Sequence, residues 1–173
     1  MVKNILITGA PGVGKTTIIK KITNDLKHLN LVGFYTQEMR ENKVRRGFEL
    51  VALDGRKSVL SDVDIKTPYR VGKYAVDLKG FEEFLERINF FHTSAKIILI
   101  DEIGKMECFS EKFKNIIREV LNSEKWFVGT VALYGKGLIE EVKKRKDVRL
   151  IEVTLNNRDS LPSELISCIK KHF

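Results

Sequence analysis

The clearest chemical signal in the sequence is a glycine-rich segment that ends in a lysine and a threonine. Residues 9–16 read Gly-Ala-Pro-Gly-Val-Gly-Lys-Thr, which fits the phosphate-loop pattern G-x-x-x-x-G-K-[ST]. Glycines let backbone N–H groups approach phosphate oxygens, and the amino end of a following helix adds positive potential. We expect Lys15 to bind the β- and γ-phosphates and the Thr16 hydroxyl to bind Mg²⁺. The predicted binding residues are Gly9, Ala10, Pro11, Gly12, Val13, Gly14, Lys15, Thr16 and Thr17.

Two adjacent carboxylates follow a run of four aliphatic residues further along the chain. The run, residues 97–100, has the composition of a buried strand, which places Asp101 and Glu102 at its carboxyl end. With a phosphate loop upstream, we expect Asp101 to hold Mg²⁺ through a water molecule. Glu102 is expected to orient or deprotonate the attacking water, and a solvated position at the rim of the sheet is the alternative.

The order of these two acids favours the ASCE division of P-loop proteins. In that division the catalytic glutamate directly follows the aspartate, and an extra strand separates the two motif strands in the sheet. GTPases place their catalytic glutamine elsewhere. A strand predicted at 31–36 and an insertion stand between the two motifs in this sequence, which fits the ASCE order.

The two motifs lie in a chain that alternates strands with helices. A short β-branched run precedes the phosphate loop and apolar residues at helical spacing follow it, so the loop joins a strand to a helix. The alternation predicts an α/β fold of the P-loop type, a three-layer sandwich around a mostly parallel central sheet. The predicted strands are 4–8, 31–36, 96–100, 126–131 and 148–154, and the predicted helices are 17–29, 78–91, 110–121, 137–144 and 163–171.

The region around residues 45–76 departs from this alternation. Asp54 and Gly55 separate two extended segments, 47–53 and 56–60, and Asp-Gly in this position is a strong hairpin signal. A further short strand is predicted at 72–76. We therefore expect an antiparallel hairpin insertion here.

Length and composition limit the classes of protein to consider. At 173 residues the chain has the size of one domain, so we expect a single domain over residues 1–173. It has no apolar run of about 18 residues and no secretory leader, and Cys108 and Cys168 form no CxxC pair. These features predict a cytoplasmic monomer with reduced thiols and no membrane association. Abundant Lys and Glu with a single glutamine, Gln37, suggest a heat-adapted source.

The net charge of +8 would suit a polyphosphate, nucleic acid or an anionic membrane surface, and charge alone does not choose among them. Thr130, at the end of the strand at 126–131, is a candidate for sensing the γ-phosphate or for holding the attacking water, with an ordinary satisfied threonine as the alternative. Four basic residues are candidates for neutralising negative charge in the transition state. For each of them, the alternative interpretation is a solvated base on the protein surface. They are Lys105, Arg145, Arg149 and Arg158.

Several segments beyond the two motifs are similar to one family. They are residues 9–17, 33–38, 46–48 and 53–55, residues 101–107 (Asp-Glu-Ile-Gly-Lys-Met-Glu), and residues 157–159 (Asn-Arg-Asp) with Leu161-Pro162. On these segments the chain resembles the small nucleoside-triphosphatase family first described from thermophiles and found in animals as a cancer-related nucleoside triphosphatase. The likeness runs nearly end to end.

This resemblance implies slow, Mg²⁺-dependent conversion of nucleoside triphosphates to diphosphates and phosphate. It also implies little choice among ATP, GTP, CTP, UTP and TTP, with slower action on diphosphates. Cys108 departs from the leucine-like residue expected after the acidic motif, and this leaves the carboxylates unchanged. Residues 157–159 are candidates for lining the base or ribose, through Arg158, and a helix-capping turn is the alternative.

Two other functions share parts of this pattern. A nucleotide or nucleoside kinase also has a phosphate loop, and residues 35–38 would suit an acceptor hydroxyl, but no arginine-rich lid is evident unless the predicted hairpin serves as one. A nucleic-acid-associated ATPase is suggested by the basic stretch at 143–149. That stretch ends a helix, where cations are favoured, and has no interleaved aromatic residues for base stacking. Nucleic acid is therefore the less favoured partner.

Overall fold

The computed structural model describes residues 2–173, and these contain nine strands and five α-helices. The strands are β1 (Asn4–Thr8), β2 (Leu31–Glu41), β3 (Val44–Ala52), β4 (Lys57–Asp62), β5 (Arg70–Val71), β6 (Tyr74–Val76), β7 (Ile97–Ile103), β8 (Trp126–Val131) and β9 (Val148–Glu152). The helices are α1 (Lys15–Leu26), α2 (Leu78–Glu86), α3 (Glu111–Asn122), α4 (Leu138–Lys143) and α5 (Leu161–Lys170). Short 3-10 turns cover Lys27–Leu29 and Glu107–Phe109. Within the described residues, no helix combines the length and apolar character needed to cross a membrane.

All nine strands lie in one sheet, in the order β5–β6–β4–β3–β2–β7–β8–β1–β9. The five strands from β2 to β9 in this order pair in parallel, and the other four extend the sheet from β2 by antiparallel pairing. The predicted α/β sandwich with an antiparallel insertion is confirmed.

The two motif strands, β1 and β7, are separated in the sheet by β8, which is the ASCE order. β8 follows both motifs in the sequence. The strand that lies between the motifs in the sequence, β2, instead borders β7 on its other side. The intervening strand therefore comes from the carboxyl-terminal half of the chain.

Helices cover both faces of the parallel strands. Successive residues of a strand point to opposite faces, so both must be apolar when both faces are covered. Ile5 and Ile7 of β1 belong to a buried cluster with apolar residues of α1 and α5. Leu6 between them belongs to the opposite cluster, with residues of α2, α3 and α4. This explains why the strands of the motifs read as continuous apolar runs.

The predicted Asp-Gly hairpin joins β3 to β4. The N–H of Gly55, which has φ 92°, donates to the carbonyl of Ala52 (2.9 Å). The Ala52 N–H in turn donates to the carbonyl of Arg56 (2.8 Å). Asp54-Gly55 therefore forms the tight turn that its residue types predict.

A second hairpin, between β2 and β3, was not predicted. The predicted strand 31–36 was too short, because β2 continues to Glu41 and turns into β3 through Asn42 and Lys43, with φ 48° and 65°. An Asn-Lys pair is a weak turn signal, since lysine, unlike glycine, disfavours positive φ.

The five helices start or end within a few residues of the predicted bounds, and two of them, α1 and α2, end three or more residues early. α2 ends at Glu86 rather than at residue 91, but Ile88 and Phe90 are buried in the turns that follow. Buried residues thus continue at near-helical spacing after the helix has ended. α1 begins at Lys15 rather than at residue 17, and its last predicted turn, up to Leu29, is 3-10.

Phe34 of β2 lies at the centre of an aromatic cluster on the α2–α3 face. Its ring is fully buried, and its centroid lies 5.6 Å from that of Phe84, 6.3 Å from that of Phe81 and 6.5 Å from that of Phe113. Edge-on aromatic pairs of this kind add to the free energy gained by burial. Because β2 pairs with β7, the cluster also fixes the strand beside Asp101.

Phe34→Ala is expected to lower the free energy of unfolding by about 3–5 kcal/mol, because it leaves a cavity among three rings. Urea-induced unfolding measures this change. Phe91→Ala is the matched control: Phe91 is 42% exposed, and its loss should cost less than about 1 kcal/mol. Equal losses in the two variants would contradict the central place of Phe34.

Candidate active site

The phosphate loop connects β1 to α1 at the carboxyl edge of the parallel strands. Gly12 (φ 77°) and Gly14 (φ 113°) have positive φ, and an added Cβ at either would meet no atom within 4 Å. Backbone conformation, rather than space, therefore favours glycine there. No side chain caps the amino end of α1, and its first turn carries no acidic residue. Its N–H groups are available to an anion.

Lys15 is buried with its ammonium inside the loop. Its Nζ donates to the carbonyls of Gly9 (3.1 Å) and Ala10 (3.4 Å) and lies 3.7 Å from Glu102 Oε2. The carbonyls provide neutral hydrogen-bond partners for the charge. A polyphosphate that enters the loop would offer this ammonium stronger, charged acceptors.

Asp101 is buried at the end of β7 and accepts hydrogen bonds from two other elements. Thr16 Oγ1 of α1 donates to its Oδ2 (2.7 Å), and Thr130 Oγ1 of β8 donates to its Oδ1. Burial raises the pKa of Asp101, while the bonds from Thr130 and Thr16 and the charge of Lys15 oppose that rise. The carboxylate is thus fixed beside the Thr16 hydroxyl.

The side chains of Thr16 and Asp101 fit the Mg²⁺ ion that the phosphate loop implies. They present a hydroxyl and a carboxylate, the hard oxygen ligands that Mg²⁺ prefers. A nearby cation would also relieve the raised pKa of the buried carboxylate. Among residues 2–173, no group of three or more His, Cys, Asp or Glu is placed to hold a metal.

Glu102 lies beside Lys15 rather than apart from the loop at an outer rim. Its side chain is 30% exposed, so it faces both the loop and solvent water. Burial raises the pKa of Glu102, as does the charge of Asp101, and the positive charges of Lys15 and Lys143 lower it. The carboxylate is therefore positioned between the lysine of the phosphate loop and solvent.

A third carboxyl group, Glu107, was given no role by sequence reasoning. An added Cβ on Gly104 would lie 2.7 Å from Glu107 Oε2 and 3.0 Å from Glu102 Oε1, so both side chains converge on this glycine. Burial raises the pKa of Glu107 to about 8, and the charges of Glu102 and Asp101 add to the rise. The three acids within residues 101–107 were the only sequence signal for this cluster.

The turn after β9 is adjacent to the start of the phosphate loop. The Val153 N–H donates to the carbonyl of Thr8 (2.8 Å), one residue before the loop. Asn157 holds the turn together, because its side chain accepts from the Thr154 N–H and donates to the Glu152 carbonyl, both at 2.9 Å. Arg158 is exposed beyond it. Asn157 thus has the turn-forming role, and Arg158 remains a candidate for nucleotide contact.

The structure separates the four predicted cations. Lys105 is exposed in the loop after β7, three residues beyond Glu102. Arg145 donates to Asp147 and Asn122 just before β9 begins, and Arg149 is the second residue of that strand. Because β9 is parallel to β1, these two arginines lie toward the opposite edge of the sheet from the phosphate loop. The basic character of these residues did not indicate at which edge of the sheet each one would lie.

Glu107→Gln is expected to change the pH dependence of folding. Between pH 4.5 and about 8 the unfolded chain ionises at position 107 while the folded protein stays protonated, so wild-type stability falls as pH rises. The neutral variant avoids this loss. In urea unfolding without nucleotide or metal, its free energy of unfolding should be close to that of wild type near pH 4.5 and exceed it by about 4 kcal/mol near pH 8.

Glu86→Gln provides a control of opposite sign for this experiment. The hydrogen bond from Lys112 lowers the pKa of Glu86, so loss of its charge should reduce stability near pH 8 and not below that pKa. A Glu107→Gln stability difference that is the same at both pH values would contradict the raised pKa.

Comparison with known proteins identifies the family to which the chain belongs. Residues 4–166 match the family model described as NTPase. Nucleoside-triphosphatase THEP1 of Thermotoga sp. (strain RQ2) is 45% identical over 167 residues, which cover 96% of this chain and 95% of that protein. The human cancer-related nucleoside-triphosphatase is 38% identical over 186 residues, with 98% of each covered. The crystal structure of THEP1 from the hyperthermophile Aquifex aeolicus has a TM-score of 0.85 at 36% identity, over 95% of this chain and 98% of that one. The predicted resemblance is confirmed, and the chain belongs to the NTPase family.

Proposed function

We propose that this chain hydrolyses nucleoside triphosphates to nucleoside diphosphates and inorganic phosphate, with Mg²⁺ as cofactor. The observation that carries the proposal is the 3.7 Å approach of Lys15 Nζ to Glu102 Oε2, beside the Thr16–Asp101 pair. A phosphate-binding lysine, metal-binding oxygens and a water-positioning carboxylate meet at one place. Relatives named nucleoside-triphosphatases, at 38% and 45% identity over nearly their whole lengths, support this activity.

Substrate binding rests on the loop and on two oxygen ligands. The N–H groups at the start of α1 and the ammonium of Lys15 bind the β- and γ-phosphates. The Thr16 hydroxyl and the Asp101 carboxylate hold the metal, Asp101 through a water. When bound, Mg²⁺ neutralises phosphate charge and makes the terminal phosphorus a better electrophile.

Hydrolysis requires a water molecule directed at the γ-phosphorus. Glu102 accepts a hydrogen bond, and then a proton, from that water. The water oxygen forms a bond to the γ-phosphorus, and the bond from this phosphorus to the β–γ bridging oxygen breaks. Its electron pair leaves with the nucleoside diphosphate. Lys15 stays protonated and holds the β- and γ-phosphates through the transfer.

Low selectivity among bases follows from where the polar contacts lie. The loop, Lys15 and the metal ligands all act on the phosphates. On the base side, the turn after β9 offers the 70% exposed Leu155 and the exposed Arg158. An aliphatic side chain and a guanidinium can pack on the face of any base without reading its hydrogen-bonding edge. Diphosphates lack a terminal phosphorus beside Glu102, so their hydrolysis should be slower.

The kinase alternative needs arginines that are free to close over two nucleotides. The hairpin arginines are instead paired within the insertion: Arg40 and Arg45 donate to Glu38 (2.5–2.9 Å), and Arg46 contacts Glu41 (2.6 Å) and nearby aspartates. These pairings favour a structural role for the hairpin over a lid.

The nucleic-acid alternative needs uncompensated charge in the stretch 143–149. Lys144 instead lies 3.5 Å from Glu140, and Arg145 donates to Asp147 at 2.7 Å and 2.9 Å. Neutralised charges release few counterions on binding. Two of the five cations in this stretch are thus paired, while Lys146 and Arg149 are exposed, so pairing weakens the nucleic-acid alternative without removing it.

Phosphate release from the five common triphosphates, with Mg²⁺ or with EDTA and without an acceptor, tests the proposed activity. Glu102→Gln should lower kcat by about 10²–10³-fold and leave nucleotide affinity within about three-fold, because it removes the proton acceptor and keeps the loop. Glu124→Gln, whose side chain is fully exposed, is the control and should match wild type.

Two outcomes of this experiment would change the assignment. Wild-type kcat in Glu102→Gln would remove this residue from the catalytic role. No phosphate release from any triphosphate without an acceptor would point to a kinase instead of a hydrolase.

A further inference from the structure

We propose that Lys143, the last residue of α4, neutralises charge on the terminal phosphate during hydrolysis. The inference rests on the proposed triphosphatase function and adds a cation that belongs to neither sequence motif. It assigns the role for which the sequence offered Lys105, Arg145, Arg149 and Arg158.

Lys143 reaches the site from the carboxyl end of a short helix. Side chains on a helix lean toward its amino end, so this ammonium extends back toward the carboxyl edge of the sheet. There its Nζ donates to the carbonyl of Leu133 (2.7 Å), in the loop after β8. The same loop runs beside β7, because the Ala132 N–H donates to the carbonyl of Ile103 (3.1 Å). Ile103 directly follows Glu102.

Glu102 is close enough to both Lys143 and the phosphate loop to feel the charge of each. The charges of Lys15 and Lys143 both act on its carboxylate, although the two lysines come from different elements. Lys15 Nζ lies 3.7 Å from Glu102 Oε2 and is the group expected to bind the γ-phosphate. A terminal phosphate beside Lys15 and Glu102 would therefore interact with the Lys143 ammonium as well.

The charge of Lys143 is available for this role. The hydrogen-bond partner of its ammonium is a neutral carbonyl, whereas Arg145 is paired with a carboxylate. Its side chain is half-buried, and loss of water contact strengthens its interaction with a nearby anion. Lys105 and Arg158, by contrast, are exposed.

The chemistry requires a cation that keeps its proton. As the bond between the γ-phosphorus and the bridging oxygen breaks, charge develops on the terminal oxygens and on the leaving diphosphate. An ammonium already in place stabilises that charge more in the transition state than in the bound substrate. A lysine offers a point charge and not the bidentate fork of an arginine, which suits slow turnover.

The test compares Lys143→Met with Lys144→Met in the full chain. Lys143→Met should lower kcat on the order of 10²-fold and leave KM within about three-fold, because the lost contact acts in the transition state. By calorimetry, affinity for Mg·ADP with aluminium fluoride, which imitates the transferring phosphoryl group, should fall by a similar factor while affinity for Mg·ADP stays unchanged. Lys144, 77% exposed at its side chain, is the matched control and should behave as wild type. Lys143→Arg should recover part of the lost kcat.

Several results would overturn the proposal. They are a Lys143→Met kcat within about three-fold of wild type, an equal loss of affinity for Mg·ADP and for its aluminium fluoride complex, and no recovery in Lys143→Arg. An equal loss of both affinities, with a lower melting temperature, would mean that Lys143 only holds the β8–α4 loop. If wild type releases no phosphate, the proposed function fails as well; if only Lys143→Met matches wild type, the function stands and this inference alone fails.

Discussion

A carboxylate that is buried at the end of a central strand sets the arrangement of this protein. A buried charge is tolerated only when hydrogen bonds replace its lost water. Asp101 obtains them from Thr16 of α1 and Thr130 of β8. One side chain thus requires α1 and β8 to meet at the carboxyl end of β7. The same requirement brings the start of α1, and with it the phosphate loop, to the Asp101 carboxylate.

The strand order sets the distance between the ends of the two motif strands. Neighbouring strands are about 4.8 Å apart, so β8 keeps the ends of β1 and β7 roughly 10 Å from each other. That gap is wide enough for phosphates and a metal to lie between the loop on one side and Glu102 on the other. Thr130, on the strand between them, donates a hydrogen bond to Asp101 of β7. The ASCE order therefore sets the distance between the phosphate loop and Glu102 as well as the topology of the sheet.

The parts of the fold that were predictable are those encoded locally. The phosphate loop, the Asp101–Glu102 pair and the Asp54-Gly55 turn depend on residue types at fixed short spacings, and each lies in the element predicted for it. The hairpin at Asn42 was missed because its second turn residue is Lys43, and a lysine does not indicate a positive φ as a glycine would. The end of α2 was missed because buried residues continue beyond the helix.

The remaining site residues depend on packing between distant elements. Glu107 is recognisable only once Gly104 is seen to bring it against Glu102. Lys143 and Arg145 are two residues apart, yet the side chain of one donates to the loop after the carboxyl end of β8 and that of the other pairs just before β9 begins. Sequence spacing does not encode which edge of a sheet a side chain reaches. Only the length of α4 and the direction of its side chains decide it.

The two edge strands of the sheet affect the tendency of the protein to aggregate at high concentration. An outermost strand exposes unpaired N–H and C=O groups that invite a foreign strand to add to the sheet. Here one border is β5, only two residues long, and the other is β9, which carries Arg149 and Glu152 at exposed positions. A short border and a charged border both make poor templates. The long apolar strands that carry the site are enclosed between them, where they cannot seed aggregation.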